Sequence, residues 1–158
     1  MTATVPVTLT INGEARALQT MPFETLLTSL RDRLGLTAAK RGCNQGVCGA
    51  CSVLIDGRPA RACLSLTANC VDQEITTVEG LSTPLQLSPL QAALVRTGGI
   101  QCGFCTPGML VSLTALLQES PRPTRDEIRT AISSNICRCT GYQKIVEAVA
   151  DMVAESAE

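Results

Sequence analysis

The sequence predicts an α+β protein with a strand-rich first half and a four-helix second half. Three observations carry that expectation: apolar alternation near the start, helical spacing of apolar residues from Ser88 onward, and four cysteines placed in each half. Cys43, Cys48, Cys51 and Cys63 form the first set, and Cys102, Cys105, Cys137 and Cys139 the second. Cys70 belongs to neither.

Val5, Val7, Leu9 and Ile11 point one way along an extended segment while Pro6, Thr8 and Thr10 point the other, the period of a half-buried strand. Asn12-Gly13 signals a tight hairpin turn into a second strand near Ala15 to Leu18. Phe23, Leu26, Leu27 and Leu30 then recur at helical spacing, and that helix is expected to end near Gly35. A cysteine loop follows, then a strand from Ser52 to Ile55, an Asp56-Gly57 turn, a returning strand carrying Cys63, and a last strand near Ile75 to Val78. Several strands around one helix, with a ligand loop between them, look like a ferredoxin-type β-grasp unit.

Glu79-Gly80-Leu81-Ser82-Thr83-Pro84 marks the change of pattern. It divides the chain into a first domain over 1–79, a linker over 80–87 and a helical domain over 88–158. Ser88, Pro89 and Gln91 supply an N-cap, a proline at the first helical position and a capping-box partner. Thr106-Pro107 repeats the first two features, while Thr124 with Glu127 and Thr140 with Gln143 are capping-box pairs. Apolar stripes follow, clearest at Met109, Leu110, Leu113, Leu116 and Leu117 and at Tyr142, Ile145, Val146, Val149, Met152 and Val153. Four helices packed as a small bundle are implied. Cys102 and Cys105 directly precede the cap at Thr106, as Cys137 and Cys139 precede that at Thr140. Each pair is therefore expected at a helix N-terminus, where free amides and the positive dipole end favour an anion, with the two helices meeting end-on around one metal centre.

In the first set, four residues separate Cys43 from Cys48 and two separate Cys48 from Cys51, with Cys63 downstream. This is the ligand spacing of plant-type 2Fe-2S ferredoxins. Zinc sites usually pair cysteines as two close couples, so three ligands in one loop favour 2Fe-2S over structural zinc. Gly42, Gly46 and Gly49 in that loop let amide groups approach the sulfurs. The Cys-x-x-Cys and Cys-x-Cys of the second set, taken alone, suit either zinc or an iron-sulfur cluster. Cys70 reads as a small buried apolar residue. Arg138 reads as a solvated side chain or as a cation beside a cluster, Tyr142 as core, and Gln101 as a polar loop residue distinguished by its place before Cys102.

With 158 residues the chain could bury about 70% of its unfolded surface in one core. Split in two, each half would have a thin core that a bound metal centre would staple. The net charge is −1, from 13 basic and 14 acidic residues without a run of either sign, which argues against nucleic acid or an anionic membrane as partner. No apolar stretch approaches the roughly 20 residues of a membrane span, and the N-terminus lacks the pattern of a secretory signal. A cytoplasmic location is expected, where nine cysteines serve better as metal ligands than as disulfides. The absence of histidine excludes Rieske-type ligation, mixed cysteine-histidine zinc sites and histidine acid-base chemistry. One tyrosine, two phenylalanines and no tryptophan argue against a base-stacking surface.

Together, Gly42-Cys43-Asn44-Gln45-Gly46-Val47-Cys48-Gly49-Ala50-Cys51, Gln101-Cys102-Gly103-Phe104-Cys105-Thr106-Pro107-Gly108 and Cys137-Arg138-Cys139-Thr140-Gly141-Tyr142 resemble the small iron-sulfur subunit of molybdenum hydroxylases, the xanthine dehydrogenase and aldehyde oxidoreductase family. The likeness runs from about Val5 to Met152. It implies an N-terminal plant-ferredoxin-like β-grasp domain, a C-terminal four-helix 2Fe-2S domain and a 2Fe-2S cluster on each cysteine set. It also implies a large molybdopterin-binding subunit and a medium FAD-binding subunit as partners, with Gln101 and Cys139 lying against the pterin. The implied function is electron relay through two clusters to a flavin subunit or an external acceptor, with no substrate site on this chain. The alternatives are a free-standing two-cluster carrier and a zinc-stapled interaction module; the balanced charge shows no acidic docking face of the kind such a carrier uses.

Overall fold

Asn12 and Gly13 both take positive φ, 54° and 78°, as a primed two-residue turn demands, and they join β1 (Val5–Ile11) to β2 (Glu14–Thr20). The computed structural model describes residues 4–83 and 85–156. Strand β1 pairs antiparallel with β2 along its whole length, from Val5 opposite Thr20 to Ile11 opposite Glu14. Its alternation is realised at the inner end only: Leu9 and Ile11 are buried, Val7 is half-buried and Val5 is exposed, because β2 forms the sheet edge there.

A second hairpin, β3 (Ser52–Ile55) and β4 (Arg58–Arg61), turns at Asp56 and Gly57, both again at positive φ. The short strand β5 (Glu74–Thr76) lies between the hairpins, parallel to β1 and antiparallel to β3, giving the order β2-β1-β5-β3-β4. Cys63 is not on the returning strand as expected. The ladder ends where Ala62 N donates to Cys51 O at 3.3 Å, and the chain then turns through Leu64 N to Arg61 O, which carries Cys63 off the sheet. Strand β5 also stops before Val78. The Asn12 side chain captures Thr77, accepting from its amide at 2.9 Å and donating to its hydroxyl at 3.1 Å.

Helix α1 (Leu26–Thr28), capped by the Thr25 hydroxyl, continues as a π-helical turn over Ser29–Arg33. Leu26, Leu27 and Leu30 are buried under the sheet with Leu9, Ile11, Val53 and Ile75. Burying each such side chain is worth about 1.5–3 kcal/mol. Phe23, expected on the same stripe, precedes the cap and is 86% exposed.

The second half holds α2 (Pro89–Arg96), α3 (Thr106–Glu119), α4 (Arg125–Ile132) and α5 (Gln143–Glu155). The capping boxes at Ser88 with Gln91 and Thr124 with Glu127 form in full. Two expected starts are corrected. Cys105, not Thr106, is the N-cap of α3 and makes no side-chain cap bond. The Thr140-Gln143 box does not form, because Tyr142 at φ 67° caps α5 and the Thr140 hydroxyl turns to Cys137. Cys137 and Cys139 therefore lie in the loop before α5, further ahead of its N-cap than a start at Thr140 would put them.

Leu94, Met109, Leu113, Ile128, Ile132, Ile145 and Val149 fill the space among the four helices, with Val78 and Leu81 packed against them. Strand β3 serves both halves, since Val53 faces the core beneath the sheet while Leu54, its alternate neighbour, packs on Val111 and Ala115 of α3. Pro84, expected in the linker, lies outside the described residues, and Leu85 and Leu87 beside it are exposed. No helix among the described residues is long and apolar enough to cross a membrane.

Candidate metal centres

The loop between α1 and β3 curls through positive φ at Asn44, Gly46 and Gly49. This curl aims backbone amides at a sulfur: Gln45 N lies 3.3 Å and Cys48 N 3.4 Å from Cys43 Sγ. The Cys48 amide, then that of Gln45, brings the Cys43 thiol down to about 6. The Cys48 thiol adds to the lowering at Cys43. Cys51 and Cys63 are buried, and burial pushes the Cys51 thiol up to about 11 against the opposing Cys63 amide. A Cβ on Gly42 would stand 2.8 Å from Cys48 Sγ, so the cradle around these sulfurs is closed to any larger residue at that position.

The second set is assembled from two loops. Cys105 caps α3, and Cys102 precedes it across Gly103 at φ 80°. Burial raises the Cys105 thiol to about 12, with contact to Cys137 adding to it. Burial also pushes Cys137 up, but the Thr140 hydroxyl at 3.0 Å and its amide at 3.4 Å outweigh that and hold the thiol at about 7. Cys139 Sγ lies 3.6 Å from Cys102 Sγ, and both are exposed. That contact, chiefly, raises the Cys139 thiol.

The backbone thus aims amides at Cys43 in the first quartet and at Cys137 in the second, where the Cys102 and Cys139 sulfurs stand 3.6 Å apart. A two-iron cluster takes two thiolates per metal, and N–H groups aimed at sulfur stabilise bound thiolate. The donor set fits that group. Among the described residues no three cysteine, aspartate or glutamate side chains converge tightly enough to hold a single ion. Cys70 is buried in the same apolar cluster as Cys51 and Cys63 and donates from its thiol to Leu66 O at 3.3 Å. Gln101 and Arg138 are exposed beside the second quartet.

Three residues that join the quartets escaped sequence reasoning. Asn135 is buried and donates from Nδ2 to Gly49 O at 3.0 Å. Ile136 N donates to Cys48 O at 2.9 Å. Arg61 donates from Nε to Gly46 O at 3.2 Å and from Nη2 to Ser134 O at 2.7 Å. None stands in a cysteine motif, and only the glycine at position 49 hints at a close approach.

Comparison with known proteins agrees with this geometry. Residues 10–96 match a family described as a 2Fe-2S iron-sulfur cluster binding domain, and residues 77–150 one described as a 2Fe-2S binding domain. The protein is of the class that carries two 2Fe-2S clusters. Over 145 residues it is 45% identical to the nicotinate dehydrogenase small FeS subunit of Eubacterium barkeri, covering 92% of each chain. Quinoline 2-oxidoreductase from Pseudomonas putida 86 superposes with a TM-score of 0.93 at 47% identity, covering 98% of this chain and 96% of that one. The aldehyde oxidoreductase of Desulfovibrio desulfuricans ATCC 27774 superposes with a TM-score of 0.91 at 44% identity over 96% of this chain but only 17% of its own. The chain belongs to the iron-sulfur subunits of the molybdenum hydroxylases, the xanthine dehydrogenase and aldehyde oxidoreductase family, and is an electron-transfer component of an oxidoreductase.

Proposed function

We propose that this chain relays electrons from a molybdopterin centre on a large partner subunit, first to a cluster on Cys102, Cys105, Cys137 and Cys139 and then to one on Cys43, Cys48, Cys51 and Cys63. The acceptor beyond is an FAD-binding medium subunit or an external molecule. The observation that carries this is the hydrogen bond from Ile136 N to Cys48 O at 2.9 Å, which joins the two cysteine loops directly. When bound, each cluster takes up and gives back one electron. The chain's own residues hold the thiolates, donate amides to Cys43 and Cys137, and bury Cys51, Cys63 and Cys105 away from water.

Exposure supports the direction of transfer. Gln101, Cys102 and Cys139 lie together at the surface, so we assign the pterin contact to Gln101 and Cys139 and substrate oxidation to the large subunit. That the matching segment makes up 17% of a longer aldehyde oxidoreductase chain fits a large partner. The assignment carries with it a ferredoxin-like domain over 1–79, a linker over 80–87, a helical 2Fe-2S domain over 88–158, and a cytoplasmic location.

Purification of the native complex tests the proposal. A molybdenum-containing large subunit should co-purify, with about four iron and four labile sulfide per copy of this chain and two distinct paramagnetic signals on reduction. A single signal, or zinc at either quartet, would remove it.

A further inference from the structure

Loops from the two quartets meet at one buried amide. Asn135 is 1% exposed; its Nδ2 donates to Gly49 O, while its Oδ1 accepts from Ser112 Oγ of α3 at 2.8 Å. Neither side tolerates a larger neighbour. A Cβ on Gly49 would lie 2.6 Å from Asn135 Nδ2, and one on Gly108 would lie 2.7 Å from that atom and against Gly49 O. The next residue, Ile136, donates its amide to Cys48 O at 2.9 Å. Cys48 of one quartet and Cys137 of the other are therefore connected by backbone with a single hydrogen bond between them.

We propose that Asn135 is a positioning residue for transfer between the quartets: it fixes the register of the second cysteine loop on the first so that the Cys48-to-Ile136 hydrogen bond is made. Arg61 braces the same register from outside, its guanidinium spanning Gly46 O and Ser134 O. This rests on the assignment of a cluster to each quartet. One electron crosses, leaving the donor oxidised and the acceptor reduced by one, and no bond breaks and no proton moves. Rigid support matters because electron transfer slows as donor and acceptor move apart, and the supporting residues are what hold two sites at a fixed separation.

The test uses the assembled complex carrying Asn135→Asp, which keeps side-chain volume and the acceptor for Ser112 but sets an oxygen against Gly49 O. Three quantities are read: iron per chain, the spin-spin splitting between the two reduced clusters, and the rate of transfer between them. We expect full iron, a diminished splitting and a rate lower by a few-fold. Arg61→Lys, which cannot span two carbonyls as a planar fork does, should move the last two readings the same way by less, and it carries the test alone if the Asn135 variant does not load. Splitting and rate equal to the parent in loaded variants would overturn the inference while leaving the ligand assignment intact. Failure of the parent to show two 2Fe-2S signals would remove that assignment and this inference with it.

Discussion

The phenolic oxygen of Tyr142 accepts a hydrogen bond from the backbone nitrogen of Cys137 at 2.8 Å. The same hydroxyl donates to Asn135 O at 3.2 Å, so one side chain ties a cysteine amide to the residue that bridges the quartets. Tyr142→Phe should keep the ring packing and lose both bonds, leaving a partly buried N–H and carbonyl unpaired at a cost of about 1–3 kcal/mol. Urea denaturation of the variant beside the parent checks this. A midpoint unchanged at equal slope would show that the hydroxyl is dispensable.

Glu24 gives a pH dependence with a definite sign. Its buried carboxylate accepts from the Arg33 guanidinium at both oxygens and from the Ser29 hydroxyl at 2.8 Å. Arg33 first, then Ser29, holds the carboxyl below its ordinary range against the opposing effect of burial. A folded-state pKa below the unfolded value of about 4.3 means that the stabilisation is complete above that pH and is lost as pH falls through the folded value. Glu24→Gln should lower stability at neutral pH by about 1–3 kcal/mol and flatten the acid limb of the stability profile. Thermal melting across pH 3 to 7 compares the two proteins, and parallel acid limbs would rule the pair out as the cause.

The order of transfer is open to a paired substitution. In the complex, Cys48→Ser should damage the cluster of the first quartet and block electron exit while reduction of the second quartet's cluster by substrate persists. Cys105→Ser should interrupt the path at its first step. Stopped-flow reduction of both variants reads the order directly, and a Cys48 variant unable to reduce the second cluster would reverse it.

Gln101→Leu removes an exposed polar side chain beside Cys102, at the surface assigned to the pterin contact. If a partner group is left unpaired once that surface is covered, the loss is about 1–3 kcal/mol. It should appear as weaker association with the large subunit or slower arrival of the first electron, while the signal of the Cys43 quartet stays as it was. Isothermal titration of the two subunits and freeze-quench spectroscopy measure these separately.

Local rules made most of the elements legible. Asn12-Gly13 and Asp56-Gly57 turn where dipeptides of that kind must, and the Ser88 and Thr124 boxes start their helices as capping chemistry requires. The two cysteine sets are legible from spacing alone, and within the second the Cys102 and Cys139 sulfurs stand 3.6 Å apart. Rules failed where tertiary contacts redirect a side chain. Thr140 has the residue type for a cap, but a nearby sulfur takes its hydroxyl. Phe23 has helical spacing, yet the cap at Thr25 leaves it ahead of the helix. Asn135 and Arg61 act across 86 and 73 positions of sequence, and no periodicity encodes a partner that far away.

The central place of β5 sets an order on synthesis. All four cysteines of the first quartet precede Glu74, but the two hairpins join into one sheet only when Ile75 arrives to pair with Ile11 on one side and Ile55 on the other. A nascent chain that has emerged only to Cys70 thus presents its thiols before the floor beneath them exists. Such late, long-range closure is slow compared with turn formation, so the interval between translation of Cys63 and docking of Ile75 is when this half is least protected from aggregation and from the wrong metal.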